Sequence, residues 1–148
     1  MNTVDEILDY AIDQEQQASD FYANLAERAE KAGMKQVLLD FSAEEMRHKE
    51  RLLAVKSGDH KLSPEEEILD LKISDYLVEV EATDDISYQD ALIVAMKRER
   101  AAYELYSDMA ANIADEHLKE VFTGLAKEES KHKLFFESQY DERVLTDN

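Results

Sequence analysis

The sequence lacks cysteine and is poor in glycine and proline. None of its 148 residues is cysteine, which excludes disulfides, zinc-thiolate sites and iron centres held by thiolates. Only 3 glycines and 1 proline are present, whereas alanine, leucine, glutamate and lysine are frequent, and this composition favours helices. A chain of this length buries a sizeable core as one unit, so we expect a single all-α domain over residues 1–148.

Basic residues and long apolar runs are also scarce. Lysine and arginine total 17 against 35 acidic residues, a formal net charge of -18. Because nucleic acid and anionic membranes would repel such a chain, neither is expected as a partner. The charge suits a solvated acidic surface and is compatible with attraction of cations. No stretch reaches membrane-spanning length, and MNTVDEILDY lacks the basic start and apolar run of a signal peptide, so we expect a cytoplasmic protein.

Apolar residues recur at steps of three or four, the spacing of amphipathic helices. Thr3 and Glu6 stand in the positions of a capping box, and Ser87 with Asp90 gives a second helix start. Four long helices are therefore predicted, over about 3–30, 34–57, 88–113 and 115–141.

An internal repeat of 84 residues relates six potential metal ligands. The motif Glu-x-x-His occurs twice, and each copy follows a lone glutamate by 30 residues. The six are Glu15, Glu45, His48, Glu99, Glu129 and His132. Similar apolar residues flank both sets, which predicts two helical hairpins of one design, about 3–57 and 88–141, packed with approximate two-fold symmetry. A glutamate on each of two helices and Glu-x-x-His on the other two is the ligand set of carboxylate-bridged dinuclear sites.

The six side chains fall within the apolar stripes of their helices. Burying one ionised carboxylate costs several kcal/mol even after relaxation, so four need compensation. Two divalent cations would neutralise them. Mixed carboxylate and imidazole ligation favours iron or manganese over calcium, and disfavours zinc only mildly. A single Glu-x-x-His is common on helices, so a bundle with a vestigial metal site is the alternative.

The connection between the hairpins, about 57–87, has its own character. Ser63 and Pro64 followed by three glutamates form a strong helix start. Apolar residues follow at helical spacing and predict a short extra helix: Leu69, Ile73, Tyr76, Leu77 and Val80. The connection is long enough to span the bundle, which favours an up-down-down-up arrangement, and it also permits exchange of hairpins between subunits.

The chain resembles the ferritin-like superfamily, and its rubrerythrin branch in particular. The resemblance rests on Ala43-Glu44-Glu45-Met46-Arg47-His48 and Ala126-Lys127-Glu128-Glu129-Ser130-Lys131-His132, with Phe21-Tyr22 and Leu105-Tyr106 after the single glutamates. It implies a ferritin-like four-helix bundle with two iron ions, in which Glu45 and Glu129 bridge the metals. Glu15 and Glu99 would be terminal ligands, and His48 and His132 would each bind one ion.

Two departures from rubrerythrins limit the resemblance. Rubrerythrins usually carry a rubredoxin domain, which a cysteine-free chain cannot form, so an external electron-donor protein is required. They also tend to have an extra glutamate where this chain has Ala102, and the six-ligand set is closer to that of bacterioferritin. Tyr22 and Tyr106 are candidates for hydrogen bonding to ligand carboxylates or for donating protons, and equally for core tyrosines. Glu44 and Glu128 point about 100° away from the ligands, so we expect them on the solvated surface.

The leading functional hypothesis is a di-iron oxidoreductase. Two iron ions would reduce hydrogen peroxide or dioxygen with electrons from an external donor protein, and we expect a homodimer. A ferroxidase of iron storage or handling is the alternative, although Asp141 to Asn148 is too short for the further helix that shell assembly usually requires.

Overall fold

Four long helices form the bulk of the protein. The computed structural model describes residues 2–59, 68–69, 71–78 and 86–147, without the side chains of residues 59, 68–69 and 144–147. The helices are α1 (Val4–Arg28), α2 (Ala32–Ala54), α3 (Tyr88–Asn112) and α4 (Glu116–Asp147). All four predicted helices are confirmed, and α4 continues six residues further than expected.

The helix starts follow the predicted chemistry. The Thr3 side chain accepts a hydrogen bond from the Glu6 backbone N–H, and the Glu6 carboxylate accepts one from the Thr3 N–H at 3.0 Å, so the capping box closes. Ser87 caps α3 by accepting from Asp90 N–H at 3.0 Å. At the other end of the first hairpin, α2 passes into a π-helical turn, Val55–Asp59, in which Gly58 has a φ of 97°. Only glycine adopts this left-handed conformation without strain.

Contacts between the hairpins define the directions of the helices. Tyr22 and Glu15 of α1 contact Glu99 and Tyr106 of α3 respectively, so the two helices run in opposite directions. His48 of α2 contacts Glu129 of α4, and Glu45 of α2 contacts His132 of α4, so these two helices also run in opposite directions. Because short connections join α1 to α2 and α3 to α4, the arrangement is up-down-down-up, as predicted.

Where the structure describes it, the crossover contains less helix than its sequence pattern suggested. The predicted start at Ser63-Pro64 lies outside the described residues, as does Val80. Ile68–Leu69 is extended and pairs antiparallel with Asn2–Thr3, forming a two-residue β bridge. The helical part among the described residues is a single 3₁₀ turn, Ile73–Tyr76, and Leu77 after it is exposed.

A physical reason for this difference lies in the segment before α1. The Asn2 backbone N–H donates to the Leu71 carbonyl at 3.0 Å, and the Asn2 side-chain oxygen accepts from Ile73 N–H at 2.9 Å. Backbone groups that a helix would have paired within itself are thus paired with the amino-terminal strand. Leu71 and Tyr76 remain buried against the bundle, so the crossover still covers part of it.

The apolar core is divided into two clusters along the bundle. One cluster contains the first turns of α1 together with Leu105, Phe122 and Leu125, and the other contains Tyr22, Leu38 and Phe136. The six predicted ligands lie at the level between them. Within the described residues, no helix combines the length and the apolar composition that a bilayer span requires.

Candidate metal centre

All six predicted ligands are buried at one level of the bundle. Their exposed fractions range from 1% to 3%, values usual for leucine and rare for glutamate. Each of the four helices contributes at least one of them: Glu15 from α1, Glu45 and His48 from α2, Glu99 from α3, and Glu129 and His132 from α4.

The ligands form two overlapping groups that could each hold one cation. The His48 half-site consists of Glu15, Glu45, His48 and Glu129, and within it one potential ligand atom from each residue lies within 4.8 Å of the others. The His132 half-site, defined by the same criterion, consists of Glu45, Glu99, Glu129 and His132. Glu45 and Glu129 belong to both. Shared carboxylates are what a bridged pair of cations requires.

Each histidine directs its Nδ1 atom into the cluster, toward the other hairpin. His48 Nδ1 lies 2.7 Å from Glu129 Oε1, and His132 Nδ1 lies 2.8 Å from Glu45 Oε1. The terminal glutamates of the two half-sites are further away, with Glu15 Oε2 at 3.6 Å from His48 Nδ1 and Glu99 Oε1 at 3.6 Å from His132 Nδ1. These two pairs of contacts are therefore repeated between the hairpins at positions 84 residues apart.

Two buried tyrosines hold the terminal glutamates from across the bundle. The Tyr106 hydroxyl donates to Glu15 Oε1 at 2.5 Å, and the Tyr22 hydroxyl donates to Glu99 Oε1. Burial and the neighbouring carboxylates raise the pKa of both tyrosines well above 10, so both hydroxyls keep their protons and act as hydrogen-bond donors. Both tyrosines therefore hydrogen-bond to buried carboxylates of the cluster, and a part in proton donation stays a prediction.

Glu44 and Glu128 lie elsewhere than predicted. Helical geometry does turn them away from the centre of the bundle, but their carboxylates are only about two-fifths exposed and reach the histidines of the opposite hairpin. His132 Nε2 contacts Glu44 Oε2 at 2.5 Å, and His48 Nε2 contacts Glu128 Oε2. The expectation of a purely solvated surface was wrong, because it considered each helix alone. The repeated Glu-Glu pair in both motifs was the available signal.

The electrostatics of the centre are unfavourable for unneutralised carboxylates. Burial, together with the charges of the other glutamates, raises the pKa of Glu45 and Glu129 well above 4.5. The pKa of Glu15 is lowered: burial opposes ionisation there, but hydrogen bonds, chiefly with Glu45 and His48, outweigh it. The pKa of His132 is raised above 6.5, since hydrogen bonds and charge from Glu99 and Glu44 outweigh its desolvation.

Unpaired oxygen atoms show that the centre fits cations. Glu15 Oε2 and Glu99 Oε2 are buried without a hydrogen-bond partner among the described residues. An unpaired buried carboxylate oxygen costs a few kcal/mol, so such atoms are rare unless an ion or water completes the site. Both atoms belong to the terminal glutamates, one in each half-site. Oxygen and imidazole donors without thiolate suit iron and manganese.

A ferritin-like bundle that buries such a cluster belongs to the class of carboxylate–histidine four-helix proteins. The match to a known family is more specific. The family model described as Rubrerythrin matches residues 6–140, and the chain belongs to the rubrerythrin family. No curated protein matches the chain significantly.

Two solved structures share the fold. A Thermotoga maritima protein described as a ferritin-like diiron-carboxylate protein superimposes with a TM-score of 0.82, covering 95% of this chain and 96% of its own, at 18% identity. A hypothetical protein from Pyrococcus furiosus gives a TM-score of 0.71 over 92% of this chain and 87% of its own, at 27% identity. Both comparisons support the ferritin-like architecture.

Proposed function

We propose that the protein is a dinuclear iron oxidoreductase that reduces hydrogen peroxide or dioxygen in the manner of rubrerythrins. One observation carries this proposal: two groups of buried ligands share Glu45 and Glu129 and together supply four carboxylates and two imidazoles. Two divalent cations would make this set electrically neutral, which removes the main cost of its burial.

Each of the six residues has a defined part in holding the ions. Glu45 and Glu129 would bridge them. Glu15 and Glu99 would bind one ion each through the Oε2 atoms that now lack partners. His48 and His132 would bind through Nδ1, the ring atom that faces the cluster. Manganese satisfies the same donor set, and zinc is the less favoured occupant.

The bound iron pair would supply the redox chemistry, with two electrons to cleave the oxygen–oxygen bond of peroxide. The protein would contribute the surroundings of that reaction. Tyr22 and Tyr106 keep the terminal carboxylates oriented by hydrogen bonds, and their hydroxyl protons lie beside the cluster. The two apolar clusters on either side exclude water. Reduction of one hydrogen peroxide to two waters consumes two electrons and two protons.

The electrons would come from a separate donor protein. The cysteine-free chain has no rubredoxin-type centre of its own, so the two electrons per turnover need an external source. We also predict that the protein forms a homodimer and lies in the cytoplasm.

Metal loading and rapid kinetics test the function. Protein from iron-supplemented cells should contain two iron ions per chain, and the anaerobic ferrous form should oxidise faster with hydrogen peroxide than with dioxygen in stopped-flow absorption. Equal or slower oxidation by peroxide would contradict the peroxidase form of the proposal. Repeated oxidation of added ferrous iron with accumulation of ferric mineral would instead favour iron handling. Less than one metal per chain would indicate a vestigial site.

Matched glutamate variants separate ligands from surface. Glu45→Gln should lose dinuclear loading, because an amide cannot bridge two cations as a carboxylate does. Glu50→Gln, at an exposed position of the same helix, should retain two ions per chain. Loss of metal in both variants would mean that general charge, and not the buried cluster, holds the iron.

A further inference from the structure

The two half-sites have matching ligands but different surroundings. Glu44 and Glu128 carry the same contact in both: each carboxylate lies at the Nε2 atom of the histidine from the other hairpin. An ionised carboxylate can only accept, so Nε2 donates to it. Nδ1 faces Glu129 or Glu45, and a cation would bind at Nδ1 in place of the proton between the ring and that glutamate. An outer carboxylate of this kind also makes the imidazole a stronger ligand.

At the His48 half-site, a second cation competes for the outer carboxylate. Arg51 Nη1 lies 3.4 Å from Glu128 Oε2, the same oxygen that holds His48. At this distance the guanidinium weakens the pull of the carboxylate on the imidazole, and its positive charge opposes a cation in the half-site. Both side chains are about half exposed, so the effect is moderate.

At the His132 half-site, aromatic rings take the corresponding positions. Phe41 stacks on the His132 ring with a centroid distance of 4.0 Å and an angle of 24°, and Phe135 packs edge-on against Phe41 at 5.1 Å. In the 84-residue repeat, Phe41 corresponds to Leu125 and Phe135 corresponds to Arg51. Neither ring therefore has an aromatic counterpart. The stacked Phe41 ring fixes the orientation of the His132 imidazole, which keeps Nε2 at Glu44 and Nδ1 toward the cluster.

Among the described residues, the arginine beside Glu44 is less well placed than Arg51 to compete with a histidine for the carboxylate. Arg47 Nη2 lies 4.0 Å from Glu44 Oε1, which is not the oxygen that contacts His132, and Arg47 is well exposed. The pseudo-symmetry of the ligands is thus broken by the residues around them. Both differences act in the same direction.

We propose that the two half-sites are unequal, and that the His132 half-site binds the first divalent cation with about tenfold higher affinity than the His48 half-site, by virtue of Phe41 and the absence of an Arg51 counterpart. This inference rests on the proposed function, because it assumes that both half-sites take cations. It requires no turnover. Glu44 and Glu128 act as positioning residues for the opposite histidines.

Anaerobic titration of the metal-free protein with Co²⁺, followed by calorimetry and visible absorption, tests the assignment. Two binding steps alone would not identify the tighter half-site, because a first cation repels a second even in a symmetric centre. His48→Gln should therefore retain the wild-type affinity of the first step, whereas His132→Gln should weaken the first step about tenfold. Equal weakening in the two variants, or greater weakening in His48→Gln, would overturn the inference.

Variants of the surroundings provide a second, gentler test. Arg51→Gln should strengthen the second step severalfold, and Phe41→Leu, which copies Leu125, should weaken the first. Arg47→Gln is the control and should change neither step by more than about twofold. Two steps with no response to Arg51→Gln and Phe41→Leu would overturn the inference and leave the proposed function intact. Failure of the wild-type protein to bind Co²⁺ would overturn both.

Discussion

At the scale of single residues, the buried glutamates stabilise the protein only when their charge is neutralised. Glu45 and Glu129 are 1% exposed and lie close to two other carboxylates, and this raises the pKa of both. Each ionised group costs several kcal/mol in the interior, comparable with the roughly 1.5–3 kcal/mol gained by burying one large apolar side chain. Metal binding and folding of the centre therefore depend on the same side chains.

Glu129→Gln should act in opposite ways on the metal-free and metal-loaded protein. An amide of the same shape removes one ionisable group, so the free energy of unfolding of the metal-free protein should rise by about 1–3 kcal/mol. Binding of two cations should be lost, because residue 129 would no longer supply a bridging carboxylate. Denaturant unfolding of metal-free protein and elemental analysis measure the two effects. Destabilisation of the metal-free variant would show that Glu129 is already compensated by its protein contacts.

The metal-free protein should become less stable as the pH rises. A carboxyl group with a raised pKa in the folded state contributes stability that is complete below its unfolded pKa, about 4.5, and is lost as the pH rises through the folded pKa. Glu45, Glu129 and His132 all act in this direction, and only Glu15, with its lowered pKa, opposes them among the buried ligands whose pKa is shifted.

Denaturant midpoints of chelator-treated protein between about pH 5 and about pH 8 measure this dependence. Glu129→Gln should show a shallower decline than the wild type, because one of the responsible groups is missing. A midpoint that rises with pH in the wild type would contradict the raised pKa values.

At the scale of helices and turns, the sequence predicted regular elements better than contacts between them. Thr3, Glu6 and Ser87 act locally, so their caps could be predicted from spacing alone. The contacts of Glu44 and Glu128 could not, because a helical wheel places each side chain relative to its own helix and ignores how far a glutamate reaches toward the neighbouring one.

The crossover illustrates the same difference. Leu69 fitted a helical stripe in sequence, yet the backbone of Ile68–Leu69 pairs with Asn2–Thr3, just before α1. Such a pairing depends on where the start of α1 lies in the assembled bundle. Tertiary contacts of this kind override a weak local preference.

Two glycines at contrasting positions should respond oppositely to alanine. Gly58 has a φ of 97°, so Gly58→Ala should destabilise the protein by about 1 kcal/mol. Gly124 lies inside α4, where a Cβ atom would meet nothing within 4 Å, so Gly124→Ala should stabilise by about 0.5–1 kcal/mol. Thermal unfolding of the two variants in parallel measures both effects. Stabilisation by Gly58→Ala would mean that the turn after α2 relaxes into an ordinary helical conformation.

At the scale of the whole molecule, cations should join the two hairpins. The buried hydrogen bonds described for the centre run from α1 to α3 and between α2 and α4, and they all involve ligands or their partners. Neutralisation of the cluster therefore converts repulsion across this interface into attraction.

Stability should accordingly depend on metal concentration. Ligand that binds only the folded state at about 100 times its dissociation constant adds about 2.7 kcal/mol per site. Chelator should lower the melting temperature by several degrees, and Mn²⁺ should restore it in proportion to the logarithm of its concentration. A melting temperature that changes with neither chelator nor Mn²⁺ would show that the hairpins hold together through their apolar clusters alone.

The contacts between the two halves of the chain are reciprocal. Tyr22 holds Glu99 as Tyr106 holds Glu15, and Glu44 meets His132 as Glu128 meets His48. Each half of the chain presents both members of every such pair. A dimer of one half with a copy of itself would reproduce the whole constellation, as expected for a gene that doubled and fused an ancestral two-helix protein.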